Sequence, residues 1–182
     1  MKWVDDPKWN HWQSHGWSNY EQMGDRALQA VRDIIEPGQK VYELGVGGGA
    51  AVVPLLLAGY EVWGTDILQT NIDETERQCA QHAVRFRHGI PETADLAICI
   101  NVTQHMTRLE VFALFKHLHL APRAIVTFRV GGGIDSEPPR LVDMLDWRPE
   151  QFEAAAYEHG WLVERVDDVG AERWARLRRR AI

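Results

Sequence analysis

Short apolar runs alternate with stretches of helical periodicity along most of the chain. The apolar runs predict buried strands at 40–44, 61–66, 84–88, 96–101 and 124–130. After the fourth run, Val111, Leu114, Phe115 and Leu118 have the i, i+3, i+4, i+7 spacing of one helix face. Runs that are apolar throughout, separated by helices, are typical of a parallel sheet covered on both faces. The pattern therefore predicts an α/β fold.

The last third of the chain departs from this alternation. Residues 131–147, rich in glycine and proline, are predicted to form a loop, and 149–159 to form a helix that ends at Gly160. Two further strands are predicted at 161–166 and 172–179.

The first predicted strand, 40–44, runs directly into a glycine-rich turn. Gly45, Gly47 and Gly49 follow it at alternate positions. Glycine allows positive φ and lets the backbone approach a ligand without a Cβ in between. The spacing from Gly45 to Ala50 also satisfies the dinucleotide fingerprint, so the glycines alone do not separate a nicotinamide cofactor from S-adenosylmethionine.

Glu43, directly ahead of these glycines, favours S-adenosylmethionine. An acid there suits a cofactor whose near end carries an ammonium group, whereas beside a pyrophosphate it would add like-charge repulsion. The pattern Glu43-x-Gly45-x-Gly47-x-Gly49 resembles motif I of the class I S-adenosylmethionine-dependent methyltransferases. The resemblance covers residues 19–180. It implies S-adenosylmethionine as the cofactor and a doubly wound, Rossmann-like, seven-stranded mixed sheet of order 3-2-1-4-5-7-6, with helices on both faces.

The ends of the second and third strands carry the other cofactor residues that the resemblance implies. Asp66 ends the second strand, where an acid accepts hydrogen bonds from both ribose hydroxyls. Ile67 is expected to pack on the adenine. Gly89 and Ile90 follow the third strand and are expected to line the adenine site. Many members of the family have an acid at this point, so Ile90 departs from the pattern and the contact with the adenine amino group passes to the backbone or to Glu92.

The segment after the fourth strand, 101–106, resembles that of small-molecule methyltransferases, which often carry a histidine there. His105 is the predicted acid–base residue, because an unperturbed imidazole titrates near pH ~6.5. Alternatively His105 only caps the next helix or lines the pocket, since methyl transfer can proceed largely by alignment of the nucleophile. Asn101 is predicted to bind the cofactor, and Gln104 and Arg129 to bind substrate. A purely structural role remains open for each of these three.

The N-terminal segment is unusually aromatic. Trp12, Trp17 and Tyr20 are predicted to contact substrate, because aromatic rings bury a large area and attract cations through their faces. We therefore expect residues 1–36 to form an aromatic-rich lid segment and helix, and residues 37–182 to form the S-adenosylmethionine-binding domain. Alternatively, the aromatic residues simply complete the hydrophobic core.

Composition narrows the choice of partners. The 182 residues, 45% of them hydrophobic, suit a sizeable core, and the net charge of −6 argues against a nucleic-acid interface. The Asn-Pro-Pro-aromatic signature of amino-directed nucleic-acid methyltransferases does not follow the fourth strand. Cys79 and Cys99 lack metal-ligand spacing, so we expect neither a disulfide nor a metal site. With no signal peptide or membrane-spanning run in the sequence, we expect a cytoplasmic protein without a membrane partner.

Three functions remain open from the sequence. The leading prediction is a methyltransferase that transfers a methyl group from S-adenosylmethionine to a small-molecule O, N or C nucleophile. A non-catalytic S-adenosylmethionine-binding partner or sensor protein is the first alternative. The second is an NAD(P)-dependent oxidoreductase, which Glu43 and the missing Tyr-x-x-x-Lys pair of short-chain reductases oppose. The accepting atom and the oligomeric state stay open.

Overall fold

The computed structural model describes residues 20–130, 146–169 and 172–181. The helices of these residues are α1 (Tyr20–Arg32), α2 (Val52–Leu57), α3 (Gln69–Gln81), α4 (Arg108–His117) and α5 (Pro149–Glu158). The strands are β1 (Lys40–Leu44), β2 (Glu61–Thr65), β3 (Arg87–His88), β4 (Leu96–Cys99), β5 (Arg123–Val130), β6 (Asp146–Trp147), β7 (Trp161–Val169) and β8 (Glu172–Arg179). Two 3-10 helices, Thr103–His105 and Leu118–Leu120, flank α4.

The strands form a mixed sheet in the order β3-β2-β1-β4-β5-β8-β7, with β6 beside β5. Strand β8 is antiparallel to both β5 and β7. The predicted order is confirmed, since β7 and β8 are the sixth and seventh strands of the prediction. The difference is β6, an additional two-residue strand paired in parallel with the end of β5. It lies in the stretch predicted as a loop, because two residues are too short to show a period in the sequence.

The chain divides into two compact units between Pro91 and Glu92. The first contains α1 to α3 and β1 to β3. Its helices α1 and α2 pack closely at Gly24, where a Cβ would lie 2.5 Å from the Ala50 carbonyl oxygen and 2.8 Å from Pro54 Cγ. Gly59, which follows α2, has a φ of +90°, as the end of a helix commonly requires.

The second unit contains β4 to β8, α4 and α5, and its core is aromatic. Phe128 of β5 stacks on Phe152 of α5 with ring centroids 4.0 Å apart, and Phe115 of α4 meets Phe152 edge-on. Trp161 of β7 is fully buried and its indole N–H donates to the Phe115 carbonyl oxygen at 2.9 Å. These contacts fix α4 and α5 on the face of the sheet to which Phe128 points.

Sequence signals at helix ends agree with the structure. The pair Thr107 and Glu110 forms a capping box at the start of α4, with each side chain bonded to the other residue's backbone N–H. Cys79 and Cys99 are buried and free. Within the described parts of the chain, none of the helices combines the length and the apolar character needed to cross a bilayer.

Strand β2 packs closely against the residues at the end of β1, and this close contact depends on Gly64. A Cβ at Gly64 would lie 2.3 Å from Val46 Cγ1 and 2.9 Å from the Glu43 carbonyl oxygen. We expect Gly64→Ala to lower the free energy of unfolding by about 1–3 kcal/mol, because overpacking displaces backbone as well as side chains. Urea denaturation measures this.

The control for this variant is Glu76→Ala on the exposed side of α3. A surface substitution of this kind is expected to change the free energy of unfolding by less than about 0.5 kcal/mol. Equal stabilities of the Gly64 and Glu76 variants would show that the contact is not tight.

Candidate functional site

The glycine loop that follows β1 is bonded to the end of β2. The N–H groups of Gly45 and Val46 both donate to the Thr65 carbonyl oxygen, at 2.7 and 3.1 Å. The next N–H, of Gly47, donates to Asp66 Oδ2 at 2.9 Å. Three successive loop amides are therefore satisfied by two residues at one strand end.

The loop has the backbone conformation that its glycines were expected to permit. Gly45, Gly47 and Gly49 have φ values of +82°, +53° and +86°. The hydroxyl of Thr75, buried in α3, donates to the Gly47 carbonyl oxygen at 2.9 Å. Since side chains with a Cβ rarely adopt these φ values, each of the three positions favours glycine.

Asp66 makes more protein contacts than the sequence indicated. Besides the Gly47 amide on Oδ2, its Oδ1 accepts from the Leu68 N–H and from Asn71 Nδ2, both at 3.0 Å. A carboxylate offers about four acceptor positions, so about one remains for a ligand. Asp66 can therefore accept hydrogen bonds from both hydroxyls of a ribose only if one of its three hydrogen bonds to the protein breaks.

Glu43 is buried in β1 with only 3% of its surface exposed. Its Oε2 has no hydrogen-bond partner among the described residues. Burial, and secondarily the charge of Asp66, raise the pKa of Glu43 well above its usual range. A buried carboxyl with an unused oxygen beside a glycine loop fits the ammonium group of S-adenosylmethionine, which would favour its ionised form.

The other predicted cofactor residues of the first unit lie at the ends of β2 and β3. The side chains of Ile67 and Ile90 are 45% and 55% exposed, whereas isoleucine in folded proteins is most often buried. Gly89 has a φ of +130°, and its N–H donates to the Gly64 carbonyl oxygen at 2.9 Å. The packing of Ile67 and Ile90 on an adenine ring stays a prediction.

The second unit carries the remaining predicted residues on the turn that follows β4. Asn101 has a positive φ of 56°, and its N–H donates to Thr127 Oγ1 at 2.7 Å. The Thr103 hydroxyl donates to the Thr127 carbonyl oxygen at 2.6 Å, which ties the 3-10 helix to β5. Gln104 is buried, and its Oε1 has no partner among the described residues. His105 is half-buried at the end of the same 3-10 helix.

Arg129 lies near the end of β5, between residues that the sequence analysis did not select. Its Nε is 3.6 Å from Asp146 Oδ1, and Glu172 is its direct partner in the antiparallel register of β8. Asp146 is part of β6, which has no sequence signal. The pairing of Glu172 with Arg129 depends on the register of two strands whose paired residues are more than forty positions apart. The sequence gives no signal for this register.

The structure thus brings together Glu43, the three glycines and Asp66 in the first unit. Asn101, Gln104, His105 and Arg129 belong to the second unit. Trp12 and Trp17 lie outside the described residues, and of Tyr20 only the backbone, as the first residue of α1, is described. Asn71 and Thr75 were missed because a polar residue on a helix gives no sign of which loop it contacts.

No family model matches the chain. The ubiquinone biosynthesis O-methyltransferase of Rickettsia canadensis is 28% identical over 94 residues, 47% of this chain and 40% of that protein. The magnesium-protoporphyrin O-methyltransferase of Synechocystis is 30% identical over 106 residues, 53% of this chain and 46% of that protein. The chain therefore spans less than half the length of these two relatives.

Solved structures extend the likeness to nearly the whole chain. Magnesium protoporphyrin IX methyltransferase from Synechocystis, with bound S-adenosylhomocysteine, superposes with a TM-score of 0.75 at 20% identity, over 95% of this chain and 93% of that one. The resemblance to class I methyltransferases is confirmed. Mitomycin 7-O-methyltransferase gives a TM-score of 0.73 at 19% identity, over 97% of this chain and 59% of that one. At these identities the solved structures establish the fold of the chain.

The raised pKa of Glu43 makes the free energy of unfolding depend on pH. In the unfolded chain the carboxyl ionises around its ordinary value of 4.5, while the folded protein retains the proton to a higher pH. The contribution of Glu43 to the free energy of unfolding therefore falls as pH rises above about 4.5, and it levels off above the folded-state pKa. Glu43→Gln removes this contribution, so the variant should gain stability relative to wild type as pH increases.

Urea denaturation at several values between about pH 5 and pH 8 measures the difference in unfolding free energy between the two proteins. Glu76→Gln on the exposed side of α3 is the matched control, and its difference from wild type should not change with pH in this manner. A Glu43→Gln curve that runs parallel to wild type would contradict the assignment of the raised pKa.

Proposed function

We propose that the protein is an S-adenosylmethionine-dependent methyltransferase that acts on a small-molecule O, N or C nucleophile. The main support is the glycine loop fixed to Asp66, with the unpartnered buried oxygen of Glu43 beside it. The two relatives described above, both named O-methyltransferases, agree with this proposal. When bound, the cofactor supplies a methyl group on a positively charged sulfur.

The first unit provides most of the residues that we propose to hold the cofactor. Glu43 pairs with the ammonium group, the loop backbone contacts the methionine portion, and Asp66 binds the ribose. Ile67, Gly89 and Ile90 border the adenine. We propose a cofactor contact for Asn101 as well, from its position after β4. The position of these residues at or after the carboxyl ends of strands, where α/β sheets bind ligands, supports the proposed roles.

Acceptor binding and proton removal are assigned to other residues. Gln104 and Arg129 contact the substrate, and His105 accepts a proton from the reacting group. Residues 1–36, with Trp12, Trp17 and Tyr20, form a lid that excludes water from the domain 37–182. Alignment of the nucleophile and exclusion of water then supply most of the rate enhancement.

The proposal also specifies where the protein acts and on what. The net charge of −6 and the sequence after β4 favour a small metabolite over nucleic acid or a membrane surface. Cys79 and Cys99, both buried and free, are in keeping with a reducing compartment such as the cytoplasm.

The first experiment is titration calorimetry with S-adenosylmethionine, S-adenosylhomocysteine and NADH. We expect the two adenosyl compounds to bind and NADH not to bind. Asp66→Ala should weaken S-adenosylhomocysteine at least about tenfold, because it removes a charged acceptor and releases the Gly47 amide. Asp73→Ala, an exposed aspartate of α3, is the control. Binding of NADH alone would overturn the proposal, and adenosyl binding without transfer to any small molecule would favour the non-catalytic alternative.

A second test addresses His105. With the first acceptor found in a screen using methyl-labelled cofactor, His105→Ala should lower kcat by roughly 10²- to 10⁴-fold, the usual contribution of an acid–base residue. Affinity for S-adenosylhomocysteine should not change. His82→Ala, an exposed histidine after α3, is the control. An unchanged kcat would show that His105 only caps the next helix or lines the pocket.

A further inference from the structure

One face of the sheet in the second unit carries Glu172, a charged residue to which the proposed function assigns no role. Arg129 of β5 lies between Asp146 of β6 and Glu172 of β8, its register partners on either side. Directly paired residues on neighbouring strands project from the same face of a sheet. The three side chains therefore share one face, with two carboxylates to one guanidinium.

Glu172 is held by a residue in a rare conformation. With the Asn101 amide in the orientation that satisfies its neighbours, Nδ2 donates to both carboxylate oxygens of Glu172 at 3.0 Å. The backbone of Asn101, at a φ of +56°, is fixed by its bond to Thr127 Oγ1. Non-glycine residues in this region persist where the surroundings enforce them, and they cluster at functional sites.

A buried donor without an acceptor lies on the same face. Trp174 follows Glu172 by two positions in β8 and is the register partner of Thr127. The residue is 5% exposed, and its indole Nε1 has no hydrogen-bond partner within the part of the chain that the structure describes. Buried N–H groups are almost always bonded, so this donor can bond to an oxygen atom of a bound ligand.

These groups discriminate between classes of methyl acceptor. A ligand carboxylate would meet a face with an excess of negative charge and has no proton to give to Glu172. A protonated amine can donate to Glu172 but has no lone pair for the Trp174 N–H. A neutral hydroxyl group satisfies both, because it donates one hydrogen bond and accepts others.

We propose that Glu172, oriented by Asn101, anchors a neutral hydroxyl group of the methyl acceptor, and that Trp174 donates to the same oxygen. The inference rests on the proposed function and restricts its substrates to hydroxyl compounds over carboxylates and ammonium ions. Glu172 is thereby a specificity-determining residue, and the proton of the reacting group is left to His105.

The test uses three probes that share a phenyl ring: benzyl alcohol, benzoate and benzylammonium. Ligand-observed NMR titration with the unliganded protein should give binding of benzyl alcohol at least about tenfold tighter than that of either ion. Benzoate is repelled by Glu172, and benzylammonium leaves the buried Trp174 N–H without an acceptor. The Trp174 indole N–H signal, assigned with Trp174→Phe, should shift on addition of benzyl alcohol.

Glu172→Gln should reduce the preference for benzyl alcohol over benzoate, because the charge that repels benzoate is removed. Asn101→Gly keeps the positive φ without strain and should weaken benzyl alcohol alone. Glu164→Gln on β7, which breaks the exposed pair with Arg178, is the matched control and should leave the preference unchanged.

Benzoate or benzylammonium binding as tightly as benzyl alcohol to the wild type would overturn the inference. So would failure of all three probes to bind, or an unchanged preference in Glu172→Gln. Because no adenosyl compound is present, these results are independent of the calorimetry. Loss of S-adenosylhomocysteine binding contradicts the proposed function, whereas loss of the hydroxyl preference contradicts only the role of Glu172.

Discussion

The hydrogen bonds between the end of β2 and the glycine loop are the interaction on which the first unit's site depends. The Thr65 carbonyl and the Asp66 carboxylate satisfy the amides of Gly45, Val46 and Gly47. A loop with so many N–H groups would otherwise leave several of them buried and unpaired. The same bonds bring the loop onto β2, where only a glycine leaves room for Val46.

Carboxylates dominate the chemistry of both units, in different ways. In the first unit, Glu43 is buried and no described residue bonds to its Oε2, and burial raises its pKa, so a positive group is needed to favour its charged form. In the second, Glu172 is bonded to the Asn101 amide, and its face of the sheet carries two carboxylates and one guanidinium. The first arrangement favours a cationic ligand, and the second favours a neutral donor.

Much of the fold was predictable, because apolar runs and helix caps are local signals. The order of the sheet came from the resemblance carried by Glu43 and the glycines, and the helical spacing that begins at Val111 predicted α4. The partners of Asp66 and the pairing of Arg129 with Glu172 were not predictable. They depend on helix rotation and strand register between distant segments, which neither periodicity nor spacing encodes.

The bond from Thr75 to the Gly47 carbonyl oxygen links the glycine loop mechanically to α3. Local opening of α3 must break this bond and release one side of the loop. A ligand that grips the loop therefore adds its binding free energy to the cost of that opening. Amide protons of α3 would then exchange with solvent more slowly in the liganded protein, although α3 itself need not touch the ligand.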